Sequence, residues 1–303
     1  MANIVILGSI NVDLVIQSTK PPRMGETVMG GGFITVAGGK GANQGVAVAR
    51  LLQNGASAAF IGAVGGDTFG GVMRDNLAKN GLDVTHVKIA DNVATGTAII
   101  VIYGGDNFIV LDSGANAEIT VEDVMRAEPL ISGTDMLITQ LEIPMEVVRA
   151  ALALAKKHNV TTLLNPAPAR TLDDELLADV DIITPNETEC EVITGVNADT
   201  VNGGKAGVTA LLARGVKQAI VTMGGNGAAY NDGADICHNP GVKAKAVVDT
   251  TAAGDSFTGA LAVALTEGKT IHEAVSFACA VGAITVASRG AQPSLPLRAA
   301  VEK

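Results

Sequence analysis

Short aliphatic runs closed by turn residues recur along the chain, at residues 4–7, 58–61, 136–141, 161–164, 182–184 and 219–223. They are continuous rather than alternating, the pattern of strands buried on both faces of a sheet. Between several of them, apolar residues return every three or four positions. Phe69, Val72, Met73 and Leu77 keep that spacing as far as Gly81, a plausible stop. Pro144 opens a second helix with Val147, Val148, Ala151, Leu152 and Ala155 on one face. A third pattern runs from Phe257 through Ala260, Leu261, Ala264 and Leu265 to Gly268. Strand–helix alternation predicts right-handed βαβ units, hence an α/β fold with a parallel sheet.

Two stretches break the alternation. Residues 13–37 and 95–111 show strand-like segments and turns without a helical period. Residues 97–103 and 107–111 read as two strands joined at Gly104-Gly105-Asp106. A small β element projecting from the main sheet fits both, as a lid, a dimer surface or merely extra edge strands. No linker, repeat or low-complexity segment divides the chain, so residues 1–303 read as one domain, with lid strands from 13–37 and 95–111.

Composition narrows the class. Hydrophobic residues make up 48% but aromatics only 3%, with no Trp, so the core must be built of Ala, Val, Ile and Leu. Such a core suits a parallel sheet covered by helices. The formal net charge is -10, with no clustered Lys and Arg to serve as a nucleic-acid surface. An acidic protein that binds an anion must supply positive potential locally, from helix ends, a few cations or metals. Cys190, Cys237 and Cys279 are odd in number and far apart, which predicts reduced thiols in a cytoplasmic protein. Neither they nor His86, His158, His238 and His272 show metal-ligand spacing. The opening residues lack a basic region, the first Lys being Lys20, and read as a buried strand rather than a signal peptide. No run approaches the ~18 apolar residues of a membrane span.

The most informative stretch is Asp249-Thr250-Thr251-Ala252-Ala253-Gly254-Asp255, leading into a helical pattern. Its small residues let N–H groups crowd together where a helix begins, which with the helix dipole makes an anion site. Asp255 at that spot is either a helix cap or a general base beside a bound phosphate. Other polar residues follow the aliphatic runs: Asn11 and Asp13, Glu142, Asn165, Asn186 with Glu189, and Gly224-Gly225-Asn226-Gly227. Each alone reads as a turn or cap. Together they fall on one rim, where open α/β sheets bind ligands. Gly38-Gly39-Lys40-Gly41-Ala42-Asn43 precedes a predicted helix at 44–52. It is not a Walker loop, because Gly follows Lys40, and no Gly-x-Gly-x-x-Gly follows the first run. It is either a flexible turn or a close backbone approach to a polyhydroxylated ligand, with Lys40 and Asn43 donating.

Taken in order, these segments resemble the PfkB-type carbohydrate kinases. The carriers are Gly8-Ser9-Ile10-Asn11-Val12-Asp13, the Gly38 stretch through Gln44, and Asn165-Pro166-Ala167-Pro168-Ala169. Thr184-Pro185-Asn186-Glu187-Thr188-Glu189, the Asp249 to Asp255 segment and Gly290-Ala291-Gln292-Pro293-Ser294 complete them. Many relatives carry Gly at the position of Ala252, and Ala there points to the members acting on ribose. The resemblance implies a three-layer α/β/α sandwich with a mostly parallel central sheet and a small β-sheet lid that pairs across a homodimer. It implies transfer of the ATP γ-phosphoryl group to the 5-hydroxyl of D-ribose, with Asp255 as base and Ala252, Ala253 and Gly254 as anion hole. Asn11, Asp13, Gly39, Lys40, Gly41, Ala42, Asn43 and Glu142 would hold the sugar. Asn186, Thr222, Met223, Gly224, Gly225, Asn226, Gly227, Ala253, Gly254 and Cys279 would line the ATP site. Glu189 would serve Mg²⁺, largely through water. Asp249, Thr251, Thr285, Ser288, Gly290 and Ser294 would hold K⁺, several through backbone carbonyls. A sibling kinase for deoxyribose, fructose or a nucleoside, a lyase or glycosidase, and a silent sugar sensor are the rival readings.

Overall fold

In the first strand, Ile4 and Ile6 join one apolar cluster while Val5 and Leu7 join another. Successive strand side chains alternate between faces, so this strand has a core on each side. That is why the aliphatic runs are continuous. The computed structural model describes residues 3–53, 55–104 and 106–302. Its strands are β1 (Asn3–Leu7), β2 (Asn11–Ser18), β3 (Gly30–Gly38), β4 (Ser57–Gly65), β5 (Leu82–Ala90), β6 (Gly96–Tyr103) and β7 (Asp106–Asp112). They continue with β8 (Met136–Thr139), β9 (Thr161–Leu164), β10 (Ile182–Ile183), β11 (Gln218–Thr222), β12 (Ala228–Asp232) and β13 (Asp235–Asn239).

Nine strands form the main sheet in the order β13-β12-β11-β10-β9-β8-β1-β4-β5. All pairings from β11 to β5 are parallel, and β12 and β13 add an antiparallel edge. The helices of eight or more residues are α1 (Lys40–Leu51), α2 (Thr68–Lys79), α3 (Met145–Lys157), α4 (Glu187–Thr194), α5 (Val201–Ala213), α6 (Ala253–Thr266) and α7 (Ile271–Thr285). Val46, Leu77, Leu261 and Val275 bring α1, α2, α6 and α7 onto one face of the sheet. Val148, Ile193 and Leu211 bring α3, α4 and α5 onto the other. The result is the α/β/α sandwich.

The second sheet has the order β3-β2-β6-β7, with β2 parallel to β6 and the other pairs antiparallel. Gly104 turns between β6 and β7 at φ 61, while Gly105 of the expected turn and the first two residues of the opening run lie outside the described residues. Asn11 pairs with both Gly38 and Gly96, so the base of this lid rests at the end of β1.

Two local differences from the sequence reading have clear causes. The Gly-rich stretch is the first turn of α1 rather than a loop ahead of it. Gly39 takes φ 87, and a Cβ on Gly41 would come within 2.6 Å of the Ser9 nitrogen, so the chain turns and begins to coil at once. Likewise β5 has no aliphatic run, because its outward residues Asp83 and Thr85 interrupt the apolar ones and it forms the sheet edge.

Candidate active site

The Asp249 carboxylate organises the turn before α6. Its Oδ1 accepts hydrogen bonds from the Thr251 backbone N (2.9 Å) and Oγ1 (2.6 Å), and its Oδ2 from Gly290 N (2.9 Å). Ala252 then adopts a left-handed conformation at φ 61, unusual for a residue with a Cβ. The chain enters α6 with the Gly254 and Asp255 N–H groups bonded to no acceptor among the described residues. Gly254 and Asp255 both line an open cleft, and space is free on the Cβ side of Gly254. Free N–H groups at the positive end of a long helix form an anion site.

Asp255 lies at the bottom of that cleft, 7% exposed. Asn43 Nδ2 donates to its Oδ2 (2.9 Å), and Gln44 Nε2 donates to its Oδ1 (3.1 Å). Burial pushes the carboxyl above its ordinary range, against the pull of Lys40 and the two amides. Both properties suit a proton acceptor: a basicity moved toward neutrality and a fixed orientation. Burial alone would lower the Lys40 ammonium, but Asp255, Glu142 and Glu189 around it outweigh that and the net shift is upward.

On the lid side, Glu142 Oε2 accepts from Ser9 Oγ (2.6 Å) and Lys40 N (3.1 Å). Burial first, and Glu142 second, raise the Asp13 carboxyl to about 6. Asn11 is held by Asn116, whose Nδ2 donates to the Asn11 Oδ1 (2.7 Å) and whose Oδ1 accepts from Ile10 N (2.8 Å). That leaves the Asn11 nitrogen free to donate. Asn43 Oδ1 is buried without a hydrogen-bond partner among the described residues, an acceptor waiting for a hydroxyl. Gly41 N and Ala42 N are already spent on Ser9 Oγ (3.2 Å) and Ser9 O (2.9 Å), so these two residues secure the turn rather than offer donors.

Asn186 and Glu189 form a capping box on α4: Asn186 Oδ1 accepts from Glu189 N (2.8 Å) and Glu189 Oε2 from Asn186 N (2.9 Å). The capping reading and the cleft reading therefore hold together, because both residues line the cleft with Lys40, Thr222, Ala252, Ala253, Gly254 and Asp255. Asn165, Ala167, Thr184, Thr250 and Thr258 complete the wall. Among the remaining expected nucleotide residues, Gly224, Gly225 and Asn226 form a tight turn closed by Gly227 at φ 88. The Met223 side chain is buried in the core, leaving only its backbone to the turn. Cys279 packs against the opposite-face core from α7 and is absent from the wall around Asp255. Behind the Asp249 turn, the carbonyls of Thr251 and Ser288 accept no backbone hydrogen bond among the described residues, while Gly290 caps the short helix at Ala291–Ser294. Thr285 and Ser294 are buried beside them, their hydroxyls bonded to Val281 O (3.0 Å) and Ala291 O (2.8 Å).

The description "pfkB family carbohydrate kinase" matches residues 1–298. The chain belongs to that family. Within the pfkB family it is 42% identical to the ribokinase of Haemophilus influenzae over 294 residues, 97% of this chain and 95% of the relative. It is 35% identical to the deoxyribokinase of Salmonella typhi over 296 residues, again 97% and 95%. The structure of Arabidopsis thaliana ribokinase complexed with ribose and ATP matches with a TM-score of 0.92 at 32% identity, covering 100% of this chain and 98% of that one. Of the pfkB kinase residues read from the sequence, those around Asp255 and Lys40 converge directly. Asn116 and Gln140 carry no signal of their own, being buried amides whose partners are remote in sequence, and Gln44 ends the Gly-rich segment without a role assigned to it.

Proposed function

We propose that this carbohydrate kinase transfers the ATP γ-phosphoryl group to the 5-hydroxyl of D-ribose. The observation that carries the reading is a buried, doubly anchored carboxylate, Asp255, beside two free amides at the start of α6. The similarity to ribokinases supports ribose as the sugar. Asp13 and Glu142 accept from sugar hydroxyls, Asn11 and Lys40 donate, and the Asn43 oxygen takes another hydroxyl. Asp255 receives the 5-hydroxyl proton as that oxygen attacks phosphorus. The Gly254 amide and its neighbours stabilise the charge developing on the transferred group. Lid strands cover the sugar and exclude water.

The cleft suits a magnesium nucleotide. One Glu189 oxygen is engaged by Asn186 and the other is uncommitted, and no group of three or more His, Cys, Asp or Glu residues among those described forms a metal site by itself. Glu189 and Asn186 would hold Mg²⁺, largely through water, and the ion would supply charge neutralisation to the phosphates. The open carbonyls of Thr251 and Ser288, with Asp249 and Gly290 beside them, fit a weakly hydrated K⁺, which would brace the turn presenting the amides. No helix among the described residues is long and apolar enough to cross a membrane, and the three free cysteines suit a cytoplasmic enzyme.

A second reading, deoxyribose as substrate, draws on the 35% identity to a deoxyribokinase. Asp13 favours ribose, since an acceptor with room for the 2- and 3-hydroxyls is left partly unpaired when one is missing. ADP release by the purified protein on ribose, deoxyribose, fructose and a nucleoside, with and without K⁺, decides between them. Ribose should give the highest kcat/KM, and K⁺ should raise it. A preference for another sugar, or turnover without ATP, refutes the proposal. Asp255→Asn should lower kcat by at least ~10² with both substrates still bound.

A further inference from the structure

Three side-chain amides meet behind Asp255, with Gln44 joined to both of the others, and the direction of Gln44 is forced. Thr184 O is a main-chain carbonyl and can only accept, so Asn165 must present its nitrogen there (2.9 Å). The Asn165 oxygen consequently faces the other way and accepts from Gln44 Nε2 (3.0 Å). The same Gln44 nitrogen donates its second hydrogen to Asp255 Oδ1 (3.1 Å). The Gln44 oxygen is in turn held by Gln140 Nε2 (2.6 Å). Reversing Gln44 would set its oxygen against two acceptors and its nitrogen against a donor. Gln44 and Gln140 are fully buried, where such a mismatch is most costly. Space for Gln140 depends on Gly8, because a Cβ there would collide with the Gln140 oxygen.

We propose that Gln44 is a positioning residue for the reaction, fixing the Asp255 carboxylate through a relay anchored on the sheet. Gln140, Asn165 and Thr184 follow β8, β9 and β10, three adjacent parallel strands. The relay therefore ties the proton acceptor on α6 to the rigid ends of the sheet. Asn43, the neighbouring residue on α1, takes the other carboxylate oxygen (2.9 Å). Two donors on two oxygens fix the carboxylate plane and leave each oxygen a lone pair for an incoming proton. Lys40, Glu142 and Glu189 also surround Asp255, but they influence it through charge. Gln44 adds direction without adding charge.

The inference rests on Asp255 being the base, and steady-state kinetics of the full chain with ribose and ATP separates the two claims. Gln44→Met keeps the volume and removes the donor. It should lower kcat about 10- to 100-fold while both KM values stay within about twofold, since only the reacting geometry is lost. Gln140→Met, one step further back, should lower kcat by a smaller factor, about threefold to tenfold, and serves if Gln44→Met does not fold. In an Asp255→Asn background, Gln44→Met should cost nothing further, because residues acting through one group are not additive. An inactive Asp255→Asn beside fully active Gln44→Met and Gln140→Met overturns this inference alone. So does an additive loss in the double variant. Near-full turnover of Asp255→Asn overturns the base assignment and this inference with it.

Discussion

Two carboxylates of the cleft are shifted in the same direction for different ends. Asp255 is raised by burial, while both hydrogen bonds reaching it, from Asn43 and Gln44, favour the anion and oppose that shift. Asp13 is raised to about 6, and its work is to accept from sugar hydroxyls, which only the ionised form does at both oxygens. With a raised pKa, the charged form prevails above about 6 and is lost as the pH falls through that value. The KM for ribose should therefore rise about tenfold from about pH 7 to about pH 5. Asp13→Asn should bind ribose weakly with a flat profile, measured by initial rates or calorimetry. A wild-type KM that stays flat over that range rules out Asp13 as the titrating group. Asp13 and Asp255 were legible in the sequence because they fall with other polar residues on one rim and within segments that resemble the PfkB-type kinases, although an acid at either place alone reads as a turn or cap. Asn116 was not, since its partner Asn11 is 105 positions away.

At the scale of elements, the segment carrying Gly290 and Ser294 is not left to hold itself. Arg50 on α1 donates from Nη1 to Gln292 O (2.7 Å) and Leu295 O (2.8 Å), and from Nε to Asn80 Oδ1 (2.9 Å) just past α2. Asn76 on α2 donates to Gln292 Oε1 (2.6 Å). The proposed cation loop is thus tied to the helix whose first turn carries Lys40 and Asn43. Arg50→Met should raise the K⁺ concentration for half-maximal activation by about tenfold, the scale of one charged hydrogen bond, with the ribose KM little changed. A K⁺ titration of initial rate measures this, and an unaltered midpoint would detach Arg50 from the cation loop. The helices themselves were readable where an apolar stripe was long, as in α3. The start of α1 was not, because glycines that usually mark a loop are here the residues small enough to coil against Ser9.

For the molecule as a whole, the lid is the anomaly. All seven residues of β7 are exposed, and they include Phe108 and Val110 on one face and Ile109 and Leu111 on the other. Phe33 and Ile34 on β3 are exposed as well. A sheet edge that is apolar on both faces invites pairing, and one face toward the sugar with the other toward a second lid accounts for both. We therefore expect a homodimer formed through the lids. Ile109→Asp should shift the protein to monomers in sedimentation or light scattering, and raise the KM for ribose as the lid loses its support. A wild-type chain that sediments as a monomer at micromolar concentration sinks this expectation.

By itself, the order of residues determined the parallel α/β sheet, the lid hairpin and the chemical kind of the site. The first two follow from local spacing and turn chemistry, and the third from the joint placement of polar residues on one rim and the resemblance of their segments to a kinase family. The tertiary structure alone decided that Lys40 and Asn43 open a helix and that Asn43 and Gln44 reach Asp255 across 212 and 211 positions. It also decided that Gly41 and Ala42 spend their amides on Ser9 and that Asn165 and Gln140 both hold Gln44 behind the base. Buried hydrogen bonds between remote residues carry no period and no local motif. Their direction is set only when the strand ends that bear them are brought side by side.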